Sequence, residues 1–428
     1  MTSATKRVLD QLRAYESPNM LAIEPDGSWP IVWERARGAR VWDADGKQYL
    51  DLTAAFGVAS AGHANARVVA AGRRQLGKLP HAMGDVHPHA LKAQLARELS
   101  RVTFERWSGR RHAGKTIFNN SGFESVEAAL KTAVLATRRK GVVVFEGAYH
   151  GLGYGALNAT HRSFFRDPFR AQLREFGHFV PFPKTEKELK QTSKEVKRLL
   201  DKGTCGAVLV EPIQARGGIN VPPVEFLPML RERCDRFGAL LVLDEIYTGF
   251  GRTGKWFACE ESETMPDLIC LGKALTGGFP LSACVGRADI IDAAWPPSCG
   301  EAIHTSTFQG NPVGCAMALA QIAEVRDKKL PERSARLGKI LLDALRSAIP
   351  PEQGEIRGRG LMVGVELRNR DGSPATDRAF KAIKEMLHRG FILLPEGEHS
   401  NIISLTPPLT ITRSELAATV PALGEVLA

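Results

Sequence analysis

Lys273 stands just beyond a short apolar run, Leu268-Ile-Cys-Leu271, and just before a glycine-rich bend, Thr276-Gly-Gly-Phe-Pro280. A second apolar run, Ala239-Leu-Leu-Val-Leu243, ends in two carboxylates, Asp244 and Glu245. A lysine amine can capture an aldehyde as a Schiff base. A carboxylate can keep a heteroaromatic nitrogen protonated, so that the ring withdraws electrons. An amine at one strand end and an acid at another are what pyridoxal phosphate (PLP) chemistry requires.

Three further segments carry groups suited to the same chemistry. Asn119-Asn-Ser-Gly122 precedes a helical stretch, and a helix N-terminus offers unpaired N–H groups to a phosphate. Ser121, Gly122 and Phe123 are the candidates. An ordinary cap, with Ser121 and Glu124 forming a capping box, is the other reading. Tyr149-His150-Gly151 places an aromatic that could lie on a flat ring beside a glycine that permits close approach. Glu211-Pro212 ends another β-rich run and supplies a nearby acid.

These segments need a scaffold that brings strand ends together. Helical patterns over 91–102, 125–139, 186–200 and 226–237 separate β-rich runs at 115–118, 141–145, 207–210, 240–243 and 268–271. Such alternation predicts an α/β fold with a mainly parallel sheet covered by helices on both faces. Ligands of such sheets bind beyond the carboxyl ends of the strands, where all the candidate residues fall. Near the start, an amphipathic helix over 7–15 is expected. The stretch 32–43 followed by Asp45-Gly46 reads as a hairpin turning at Asp-Gly. A long helix is expected over 313–326. After it, Pro350-Pro351 and the glycines of Arg357-Gly-Arg-Gly360 mark a smaller α+β unit. The expected division is an N-terminal segment 1–65 contributing to the small domain, a large domain 66–325 and a C-terminal small domain 326–428.

Composition narrows the function classes. The chain has 428 residues, 43% hydrophobic and 24% charged, an ordinary globular balance. It has no apolar run of the ~18 residues a membrane helix needs, and its first ten residues contain no leader-like core. Seven scattered cysteines without a Cys-x-x-Cys pair argue against a metal site or disulfide framework and for a reducing cytoplasm. The net charge of +10 includes basic patches at 106–112 and 138–140. No stacking aromatics or nucleic-acid-binding motif accompanies them, so a solvated basic surface is expected rather than a nucleic-acid site. That field could steer anionic substrates.

In combination the motifs are specific. Leu243-Asp-Glu-Ile-Tyr-Thr-Gly-Phe-Gly-Arg-Thr-Gly254, Lys273-Ala-Leu-Thr-Gly-Gly-Phe-Pro-Leu281 and His304-Thr-Ser-Thr-Phe-Gln-Gly-Asn-Pro312 closely resemble segments of the class III (omega) aminotransferases. That family includes 4-aminobutyrate, acetylornithine, ornithine and amine:pyruvate aminotransferases. Val210-Glu-Pro-Ile-Gln214, Arg357-Gly-Arg-Gly-Leu361 and Pro407-Pro-Leu-Thr-Ile411 resemble further landmarks in the same order. The resemblance implies PLP fold type I and a ping-pong transfer of an amino group from an amine or amino-acid donor, an ω-amine by expectation, to a keto acid. It implies that Lys273 carries the cofactor and moves the proton, Asp244 binds the ring nitrogen and Tyr149 stacks. His150 and Glu211 stand beside the ring, and the Gly122 and Phe123 amides, with Ser121, hold the phosphate. Thr307 would reach the phosphate of the other subunit, making a homodimer the smallest active unit.

Five positions depart from the family pattern. Phe123 replaces a hydroxyl residue in the phosphate motif. Tyr247 replaces a glutamine; its phenol either bonds the cofactor's 3-oxygen or turns into the substrate pocket. Ser404 stands where an arginine usually grips the substrate carboxylate, and a serine is no substitute for a bidentate cation. Arg216 stands where that arginine's acidic partner is usual. Leu152 replaces an arginine found in some 4-aminobutyrate enzymes. A keto acid still needs an anchor. Arg216 either supplies it, with Ser404 making room, or pairs with a neighbouring acid or points to solvent. A racemase, epimerase or decarboxylating relative is the alternative enzyme class, and a non-catalytic binding module a third reading.

Overall fold

The computed structural model describes residues 3–24 and 28–428. The first two residues, the start of the stretch read above for a leader, and residues 25–27 lie outside the described residues. At the centre is a seven-stranded sheet. Its order is Gly114–Asn119, Ser282–Arg287, Leu268–Leu271, Leu240–Asp244, Cys205–Val210, Gly141–Phe145, Gly177–Val180. The last five strands in that order run parallel, from Val242 beside Leu268 across to Val142 beside Gly177. Ser282–Arg287 is antiparallel to both its neighbours.

The five expected strands are present. Two were not anticipated. Gly177–Val180 is an edge strand containing a glycine and a histidine, and Ser282–Arg287 begins with serine and ends with Gly-Arg, so neither shows a plain apolar run. The sheet interior reads as unbroken Val and Leu because both faces are covered. Val143, Val208, Leu241, Leu243 and Ile269 pack under the helices Ala90–Val102, Glu186–Asp201, Phe226–Phe237 and Pro312–Asp327. Val142, Val144, Val242 and Cys270 pack under Gly122–Thr137.

The chain ends meet. Trp33–Arg37, Arg40–Asp43 and Gln48–Asp51 form a three-stranded meander, to which Phe391–Ile392 adds in parallel. The first turn of the meander lies at Gly38-Ala39, not at Asp45-Gly46, which joins the second strand to the third. The Asp-Gly signal is therefore real, but it serves the next hairpin. A separate four-stranded sheet, ordered Glu355–Arg359, Met362–Glu366, Ile402–Leu405, Leu394–Glu396, carries the helices Leu330–Ala348, Thr376–His388 and Arg413–Leu427. Leu50 and Leu52 share a core with Leu337, Leu341, Val363 and Ile403. Among the described residues, no helix is long and apolar enough to cross a membrane. No disulfide joins the seven cysteines, of which only Cys299 is exposed.

Candidate active site

A cleft of about 360 Å³ opens at the carboxyl edge of the large sheet. It is lined by Gly122, Phe123, Tyr149, His150, Gly151, Leu152, Glu211, Ala215, Arg216, Asp244, Ile246, Tyr247 and Lys273. Ten of these are sequence candidates, brought together from segments up to about 150 residues apart. Gly151 was read only as a glycine permitting close approach, and Ala215 and Ile246 were not singled out.

Asp244 ends the strand Leu240–Asp244 and is buried. Its Oδ2 lies 2.7 Å from His150 Nδ1, and its Oδ1 accepts the Ile246 N–H at 3.1 Å. With Nδ1 protonated toward the carboxylate, His150 fixes the acid's orientation; its buried Nε2 has no partner among the described residues. Glu211 is held from both sides, accepting the N–H groups of Tyr149 at 3.0 Å and Ala215 at 3.1 Å. Burial pushes its pKa up to about 7, with His150 pulling it down and Asp244 adding to the rise.

Lys273 follows the strand Leu268–Leu271 with φ +43°, a left-handed conformation uncommon for a residue with a side chain. Strain of this kind concentrates at working sites. The Nζ lies 4.0 Å from the centre of the Tyr247 ring. Burial lowers its pKa from the ordinary 10.5 to about 8, and Arg216 acts in the same direction. Asp244, Glu211 and Glu396 oppose that fall. The Tyr247 hydroxyl bonds Thr406 Oγ1 at 3.1 Å, so the phenol is engaged with the small unit while its face carries the lysine. Burial raises its pKa to about 12.

The helix Gly122–Thr137 points its N-terminus into the cleft. Glu124 reaches back to the N–H groups of Ser121 at 2.7 Å and Asn120 at 2.9 Å. The capping carboxylate is present, and Gly122 and Phe123, whose first-turn amides have no intrahelical acceptor, line the cleft. Ser121 is tied to Glu124 and its carbonyl accepts Ser282 Oγ at 2.5 Å; it does not line the cleft. Gly122 packs on Ile246, whose Cδ1 would lie 3.0 Å from any added Cβ. Gly151, at φ +111°, lies so close to Phe123 that a Cβ would sit 2.3 Å from the Phe123 Cβ.

Tyr149 stands with its ring 5.6 Å from Phe165 and 5.7 Å from the Arg216 guanidinium. Arg216 is not free: its Nη1 lies 3.2 Å from Oε2 of Glu396, with the side chain partly exposed. Glu396, within Leu394-Pro-Glu-Gly397, was not singled out from the sequence. Its pKa is pushed up to about 7, by burial against the pull of Arg216 and Lys273. Leu152 lies at the cleft wall, half exposed. Ser404 is buried in its strand, its Oγ donating to the Leu394 carbonyl at 3.3 Å, and does not line the cleft. Thr307 is exposed and lies outside the cleft of its own chain.

These residues fit PLP. A helix N-terminus with free amides suits the phosphate, Asp244 suits a protonated ring nitrogen, and a lysine with a lowered pKa suits the aldehyde. Among the described residues, no cluster of His, Cys, Asp or Glu could hold a metal ion. Fold and site together define a PLP-dependent enzyme of fold type I.

The chain belongs to the class-III aminotransferases, whose family model matches residues 23–427. It is 35% identical over 411 residues to an acetylornithine aminotransferase of Methanosarcina acetivorans, covering 96% of this chain and 95% of that protein. It is 36% identical over 441 residues to a putrescine aminotransferase of Pectobacterium atrosepticum, covering 100% and 90%. A PLP-bound amine transaminase from an uncultivated Pseudomonas species superposes with a TM-score of 0.88 at 29% identity, covering 96% of this chain and 98% of that one. The activity is PLP-dependent transamination, and none of these similarities favours a racemase.

Proposed function

We propose that this aminotransferase takes an amino group from a terminal amine or an amino acid and delivers it to a keto acid in two alternating half-reactions. The observation that carries the reading is the meeting of Lys273, Asp244, Glu211, Tyr149 and the 122–137 helix N-terminus in one cleft. The Gly122 and Phe123 amides would hold the cofactor's phosphate, Tyr149 its ring face, and Asp244, steadied by His150, its ring nitrogen. Bound there, PLP supplies an electron-withdrawing ring that stabilises the electron pair left when a substrate C–H is ionised. Lys273 Nζ is the base that takes that proton and the acid that returns it; its lowered pKa keeps a usable share of it neutral near pH 7. Arg216 is the one guanidinium lining the cleft among the described residues, and in this reading it leaves Glu396 to grip the keto-acid carboxylate.

The exposure of Thr307 supports a homodimer in which it serves the partner's cofactor. A cytoplasmic location and domain limits near residues 65 and 325 belong to the same proposal; the shared core of Leu50 with Leu337 and Ile403 supports joining the chain ends. The test is to mix the PLP-loaded protein with an amine donor and pyruvate or 2-oxoglutarate. Stoichiometric formation of the new amino acid is expected. Loss of a donor's optical activity without any amino transfer would overturn the reading.

A further inference from the structure

Three buried carboxylates act on the Lys273 amine through their charge, and they are not equally satisfied. Asp244 is bonded to His150 and Ile246, and Glu211 to two backbone amides. Glu396 Oε2 is buried and accepts no hydrogen bond among the described residues. Its nearest cation, Arg216 Nη1 at 3.2 Å, is close enough for attraction but too poorly aligned to donate. A buried carboxylate oxygen left without a donor carries a penalty that a better-placed cation would remove.

The backbones around this pair are tied together, and the side chains meet in one ion-pair contact. Gly397 N–H donates to the Arg216 carbonyl at 3.0 Å, tying the two segments together. Glu396 sits opposite Ile402 in the small sheet. Arg216 is 29% exposed and lies over Glu396, whose side chain is 2% exposed. The arginine is thus a lid that solvent can reach, and the acid beneath it lacks a proper partner. The outer cation Arg162 is engaged with the Glu398 carbonyl at 3.1 Å. Glu396 still lies near enough to Lys273 for each to shift the other's pKa.

We propose that Glu396 determines donor specificity: once Arg216 turns aside, it receives an ammonium group that the donor carries at the end remote from the reacting nitrogen. This rests on the aminotransferase reading above. A monoamine offers Glu396 nothing in exchange for the arginine. A donor with only a remote carboxylate competes with Glu396 for Arg216 and leaves the acid uncompensated. A remote ammonium gives Oε2 the charged donor it lacks, and a carboxylate on the same carbon would find Arg216 beside it. Simple diamines and diamino acids both carry that chemistry.

Four donors separate the sources: 1,4-diaminobutane, n-butylamine, 2,5-diaminopentanoate and 5-aminopentanoate. The readout is kcat/KM for loss of cofactor absorbance without acceptor. In the wild-type holoenzyme the second ammonium should raise kcat/KM by roughly 10- to 100-fold within at least one pair, diaminobutane over butylamine or diaminopentanoate over aminopentanoate. The pair that responds names the source. Glu396→Gln should reduce that ratio to within about threefold of one, and Glu396→Asp should restore part of it. A ratio near one in wild type, or one that survives Glu396→Gln, overturns the proposal. Melting temperatures of the same holoenzymes with each donor add a readout that does not depend on rate. A Tm rise specific to the second ammonium and lost in Glu396→Gln supports the acidic subsite even if no donor reacts, in which case only the donor reading has failed. Equal Tm rises in all pairs overturn it.

Discussion

The floor of the cleft and its mouth are built on opposite plans. Beneath the floor, Glu245 is fully buried and does not line the cleft: its oxygens accept Thr248 Oγ1 at 2.5 Å and the N–H groups of Ala258 and Cys259, both at 2.9 Å. One residue earlier, Asp244 faces the cleft but is held by two partners. At the mouth, Arg216 shares a single misaligned contact with Glu396, which is buried beneath it and does not itself line the cleft. Fixed groups suit a cofactor that stays; loosely paired groups suit two substrates that alternate.

The sharpest way to break this contrast is to remove the floor. Lys273→Ala should lower transamination by roughly ten-thousand-fold or more, measured as amino-acid formation, while far-ultraviolet circular dichroism stays native. Asp244→Asn should cost about 10²- to 10³-fold in kcat, because an amide holds no proton on the ring nitrogen. At the mouth, Arg216→Ala should raise the keto-acid KM by roughly 10- to 100-fold. An unchanged KM and kcat/KM would remove Arg216 as the anchor.

Acidity offers a milder probe. In the proposed reading the neutral amine of Lys273 is the nucleophile, and burial brings its pKa down to about 8, so deprotonation proceeds as pH rises. The rate at which cofactor-free protein captures PLP should climb about tenfold per pH unit below that value and level off above it. The smallest expected change comes from Glu245→Gln. Losing one charged acceptor in the saturated set should lower stability by about 1–3 kcal/mol in denaturant unfolding. Turnover should stay within about twofold, because Glu245 does not line the cleft.

The floor was legible in the sequence and the mouth only half so. Lys273 and Asp244 each end an apolar run, and strand ends of a parallel sheet must share an edge, so their meeting follows from topology. Arg216 was visible as a departure from the family pattern, but its partner was not. Glu396 lies 180 residues later in a different sheet, on a three-residue strand containing a proline. No local periodicity marks it. The strand Ser282–Arg287 was missed for a related reason: its place is set by pairing with Thr116 and Ile269, not by its own composition. The Asp45-Gly46 turn was assigned to the wrong hairpin because a turn signal does not say which strands it joins.

Ile246 has a part to play that its apolar side chain conceals. Its amide is bonded to Asp244 and its side chain lies against Gly122, so one residue spans the gap between the helix N-terminus and the acid at the strand end. A methyl group added at 122 would push on that spacer and tilt the acid several bonds away. The two ends are therefore joined through a single side chain.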